Sequence, residues 1–166
     1  PLVGGKLRAQ DDISLFGRIF VRVADEIGEH LSQARAVRPN VQVSTTGCMP
    51  YVRAYHEAFQ DWASWLKTGL VDFVTIMSYP PDILEFKKYL LEAKGKSPDF
   101  KKINVGVGAY KLLKSQGIFE RQWELCEDSN ARACVVLHYG SLLENPALTS
   151  SLTRSERSEP RQPKSG

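Results

Sequence analysis

Apolar residues recur along the chain in two alternating patterns. Ile13, Phe16, Phe20, Val23, Ile27 and Leu31 keep the three-and-four spacing of one helix face, and predict a helix from Asp11 to Ala36. Asp11 and Asp12 favour its start. A Pro39-Asn40 turn then releases Val41 to Ser44, whose alternation predicts a short strand opening into a long loop. Trp62, Trp65 and Leu66 predict a helix from Asp61 to Gly69, closed by a glycine able to take the left-handed conformation.

The same cycle runs on. Leu70 to Ser78 predicts a nearly continuous apolar strand, Asp82 to Lys94 a helix with Ile83, Phe86 and Leu90 on one side, and Ile103 to Ala109 another strand. Gly117 to Asn130 predicts a helix with Phe119, Gln122, Trp123 and Cys126 on its inner stripe, before a last strand from Ala133 to His138. Apolar strands separated by helices demand a parallel sheet covered by its crossovers, so the expected class is α/β with four parallel strands. Four such units fit half of a (β/α)8 barrel or an open doubly wound sheet. No glycine-rich phosphate fingerprint follows any strand, Gly106-Val107-Gly108 being too sparse. From Thr153 to Gly166 no apolar residue occurs, which predicts a linker or disordered tail after a domain spanning residues 1–152.

Composition narrows the picture. With 42% hydrophobic and 25% charged residues the chain has the balance of a globular domain. A complete barrel takes about 250 residues, so 166 fit only part of one. A net charge of +3 calls for no nucleic-acid partner, and no apolar run is long enough for a membrane span. Cys48, Cys126 and Cys134 are odd in number without CxxC spacing, and are expected to be free.

Barrel chemistry sits where strands end. The positions there are Thr45 to Met49, Tyr51, Arg53 and His56 after the first strand, and Met77 to Asp82 after the second. Gly106, Gly108 and Tyr110 follow the third strand, and His138, Tyr139 and Ser141 the fourth. Aromatic rings with polar tips suit carbohydrate, whose C–H faces pack on the ring while its hydroxyls take hydrogen bonds. Plainer roles stand beside these. Asp61 and Asp82 each open a helix and serve as caps, Tyr79 and Tyr139 can close the barrel mouth, and the two glycines can permit close strand packing. A lone His138 makes no metal site. Hydrolysis of a glycosidic bond needs two carboxylates across it, and only Asp82, with Asp61 or Glu57 less well placed, lies near a strand end. Ser78, His138 and Asp82 lack the GxSxG elbow of a serine hydrolase.

The segment Gln60-Asp61-Trp62, Trp65-Leu66, Gly69 to Val74, Met77 and Tyr79 resembles the C-terminal half of the bacterial glycosyl hydrolase-like family 10 barrels. Ile103 to Tyr110 resembles that family's seventh strand, Val135 to Leu142 its eighth, and Arg38-Pro39-x-Val41-x-Val43-Ser44 the approach to its fifth. The resemblance covers residues 11–148, and its weight lies in the order of the motifs. It implies the second half of a (β/α)8 barrel acting on polysaccharide, with bacterial cell-wall glycan as substrate, no cofactor and an extracytoplasmic setting. On this reading Tyr79, Tyr110, His138 and Tyr139 bind glycan, Asp82 is the local catalytic carboxylate, and Asp61 and Met77 support them. The principal acid then belongs to an N-terminal half preceding Pro1, and the family's acidic pair after the sixth strand is reduced here to Pro81-Asp82. The alternative is a glycan-binding module without catalytic acids. Bare strand edges also allow pairing with the N-terminal half or with a second copy.

Overall fold

A computed structural model describes residues 22–97 and 99–156. Helix α1 occupies 22–37; the beginning of the predicted first helix, 11–21, lies outside the described residues. The succession is then β1 (Ser44–Cys48), α2 (Tyr51–His56), α3 (Trp62–Lys67), β2 (Phe73–Ser78), α4 (Ile83–Lys96), β3 (Ile103–Gly108), α5 (Gln116–Glu127), β4 (Ala133–Leu137), α6 (Tyr139–Glu144) and α7 (Ala147–Glu156). Helical backbone in α7 continues four residues past the Leu152 boundary, and 157–166 lie outside the described residues.

The four strands form one all-parallel sheet in the order β1-β2-β3-β4. Crossovers between parallel strands are right-handed. When each steps to the next strand in the same direction, every connecting helix falls on the same side. The sheet therefore has a helix face and an open face, without the reversal of order that defines a doubly wound sheet. Burial follows this division. On β2, Val74, Ile76 and Ser78 are buried, whereas Phe73, Thr75 and Met77 are half-buried. Strand register puts Ile103, Val105 and Val107 on the first side and Asn104 and Gly106 on the second; all of β3 is buried, its second side covered in part by Tyr79.

The core lies between the helix face and the helices. Asp82 accepts from Glu85 N at 2.8 Å to start α4, which then lays Phe86, Leu90 and Ala93 into the core. Phe119 and Cys126 do the same from α5. Each large side chain so buried stabilises the fold by about 1.5–3 kcal/mol. Gly69 closes α3 at φ +74°, the left-handed role expected of it.

Three expectations are corrected. The first strand is Ser44–Cys48 rather than Val41–Ser44, so the first four residues of the predicted loop, Thr45 to Cys48, are strand. Asp72 sets this register: its backbone N–H donates to Val43 O at 2.8 Å, and its Oδ2 accepts from Val43 N at 2.7 Å. The loop that remains contains α2, a helix too short to show in the periodicity. Finally, Cys126 and Cys134 are not free. They form a disulfide joining the end of α5 to β4, with Cα atoms 6.0 Å apart, because Cys134 points to the face that α5 covers.

Closing a loop eight residues long in sequence limits the unfolded chain by about 2.5 kcal/mol. Reduction of this bond is expected to lower stability by that amount, read as a lower urea midpoint in reducing than in oxidising buffer.

Candidate functional site

The C-terminal strand ends carry a row of rings. Tyr79 follows β2 on the side of the open face, and its ring lies across β3. A Cβ built on Gly106 would stand 2.9 Å from both Ile76 O and Tyr79 Cε1, and one on Gly108 would stand 2.9 Å from Tyr79 Cβ. Both are distances that real side chains do not reach. The two glycines therefore make the seat for Tyr79, a more specific role than close strand packing. From there Tyr79 meets Tyr110 edge to face, with centroids 6.0 Å apart and planes at 76°. Tyr110 in turn lies nearly parallel to His138 at 6.3 Å and 16°. The His138 imidazole occupies space that a side chain on Gly140 would fill, and the Leu137–His138 peptide is cis.

Beside this row opens a cleft of about 420 Å³. Three sets of residues line it. Cys48, Met49 and Met77 come from the ends of β1 and β2, with Cys48 and Met77 facing one another in register. Tyr79, Pro80, Pro81, Tyr110 and Lys111 come from the segments after β2 and β3, and Arg53, Glu85 and Tyr89 from α2 and α4. Glu85 is the carboxylate of the cleft, and its Oε1 accepts from the Tyr89 hydroxyl at 2.8 Å. Burial, this bond and the charges of Glu85 and Glu92 push the Tyr89 phenol up to about 12, against an opposing pull from Arg53. Burial, followed by the neighbouring Tyr110, also raises Tyr79.

The predicted residues separate accordingly. Tyr79, Tyr110 and Met77 line the cleft, and His138 extends the ring row toward β4. Tyr139, 72% exposed, lies outside the cleft. Asp82 also lies outside it and acts as the α4 cap. Asp61 caps α3 through Ser64 N at 3.0 Å and accepts the Tyr51 hydroxyl at 2.5 Å. That bond supports Tyr51, which packs edge to face on Trp62 at 5.0 Å. Trp62 sits in turn beneath Gly47, where a Cβ would come within 2.8 Å of the indole. Asp61 thus belongs to the scaffold behind the cleft.

Glu85 and Tyr89 escaped the sequence reading because they lie inside a helix rather than after a strand. The Asp82-x-x-Glu85 spacing was a usable signal, since the residue three past a cap returns toward the strand end. Among the described residues, no group of three or more His, Cys, Asp or Glu is placed to hold a metal ion. No family model, curated protein or solved structure matches the chain.

Two measurements check this geometry. Gly106→Ala is expected to displace the Tyr79 ring and cost roughly 1–3 kcal/mol of stability, because the backbone carbonyl of Ile76 cannot move aside; a thermal melt with tyrosine near-ultraviolet dichroism reads both effects. Glu85→Gln is expected to move the Tyr89 titration from about 12 toward the ordinary 10, followed by tyrosinate absorbance. Because the folded value exceeds the unfolded one, Tyr89 contributes stability fully below pH 10 and loses it as pH rises toward about 12.

Proposed function

We propose that this chain is a glycoside-hydrolase-like barrel segment whose C-terminal mouth binds a polysaccharide strand, with bacterial cell-wall glycan as the candidate substrate. The supporting observation is the row Tyr79, Tyr110 and His138 beside a cleft of about 420 Å³. Rings with a phenol or imidazole tip give a sugar an apolar face to pack on and a hydrogen-bonding group at its rim. The row stands at the strand ends where parallel barrels keep their sites. Sequential strand order with one open face is also what half of a (β/α)8 barrel requires, the open face becoming the barrel interior when four further strands close it.

A single observation favours binding without hydrolysis by these residues alone. Acid and base catalysis at a glycosidic bond takes two carboxylates, and Glu85 is the one carboxylate lining this cleft. In the hydrolase reading its partner comes from the strands that complete the barrel, and Glu85 takes the local role first expected of Asp82.

Turnover of purified glycan strands, with product analysis, separates the two readings. A hydrolase is expected to lose turnover on Glu85→Gln and keep it on Asp82→Asn, whereas a binder retains the strands without cleaving them. In either case Tyr110→Ala should weaken glycan retention roughly tenfold, the value of one stacking ring. Unchanged retention in that variant rejects the aromatic mouth as the glycan site.

A further inference from the structure

The charges around the cleft narrow the class of glycan, provided that the mouth is a glycan site at all. Three ionisable groups of full charge line the cleft: Arg53, Lys111 and Glu85. Glu85 is already engaged by the Tyr89 hydroxyl at 2.8 Å. Arg53 pairs with Glu57 at 3.0 Å through Nε, which uses one of the five guanidinium donors and leaves the fork of terminal nitrogens for an oxyanion. Lys111 makes no ion pair among the described residues. Its ammonium lies over the Tyr110 ring, 5.8 Å from the centre, so a sugar that packs against this ring meets the cation directly.

We infer that the mouth selects an anionic oligosaccharide, with Lys111 and Arg53 as the specificity-determining residues that take its negative substituent. A sugar that packs against Tyr110 brings its ring substituents to Lys111. A carboxylate there meets a cation without displacing an existing ion pair. A neutral sugar leaves the same ammonium to water, and a cationic sugar is repelled by it. Glu85 is the one opposing charge, so two cations against one carboxylate leave the lining positive.

Titration calorimetry of the full chain with three six-sugar probes at low salt tests the inference: chitohexaose, neutral; its deacetylated chitosan counterpart, cationic; and a hyaluronan hexasaccharide, carboxylate-bearing. Hyaluronan should bind at least about tenfold more tightly than chitohexaose, with the gap closing near about 0.5 M salt as screening shortens to a few ångström. In Lys111→Gln and Arg53→Gln the hyaluronan affinity should fall about tenfold for each charge removed, a far larger loss than chitohexaose binding suffers. Equal affinities for hyaluronan and chitohexaose, or tightest binding of chitosan, would overturn the anionic selection and leave the glycan mouth standing. Failure of all three probes to bind would overturn both. Lys111 is exposed at the surface, so its substitution leaves the core intact, and matching thermal midpoints verify that each variant is folded.

Discussion

The handedness of the crossovers governs this molecule. With a sequential strand order and the right hand that is the rule for parallel crossovers, the helices collect on one face and the sheet becomes two-sided in chemistry as well as in shape. One side takes Val74, Ile76, Ile103, Val105 and Val107 and is dry. The other carries Thr75, Met77, Asn104 and the two glycines of β3. Asn104 illustrates the difference, since it donates to Thr75 Oγ1 at 3.2 Å across the strands, a polar contact that the helix face could not host without cost.

The ring row is a consequence of that two-sidedness. Alternation along β3 gives every second position to the open face, and glycine at two of these removes the side chains that would otherwise lie beneath Tyr79. Tyr110 and His138 then follow from the ends of β3 and β4, so that three successive strands each supply one ring. Behind them, Asp61, Tyr51 and Trp62 form a second tier in which a helix cap, a phenol and an indole fix one another beneath Gly47. The position of the row is thus inherited from the sheet, while the second tier is held by α2 and α3.

Much of this was legible in the sequence because period and punctuation agreed. The buried strands β2 and β3, helix α4 with its Asp82 cap, and the terminating Gly69 all carried both signals. The edge strand β1 did not. Ser44, Thr45 and Thr46 have no apolar run to mark them, and their pairing depends on Asp72, which lies 29 residues beyond Val43. The Cys126–Cys134 bond was hidden for a similar reason, since only the packing of α5 on β4 brings the two thiols together. At the mouth, Tyr79, Tyr110 and His138 were visible as residues after strands. Glu85 and Tyr89 lie inside α4, where only the spacing of Glu85 from its cap marks them, and Lys111 follows β3 beside Tyr110 without an aromatic ring to single it out.

The disulfide has a further consequence for the cleft. With Cys126 and Cys134 consumed by one another, the three cysteines of the chain reduce to one sulfhydryl, Cys48, and that one lines the cleft beside Met77. The protein therefore carries its own attachment point for a maleimide fluorophore at the cleft. Emission from that single dye would report changes in the surroundings of the cleft without any engineered cysteine.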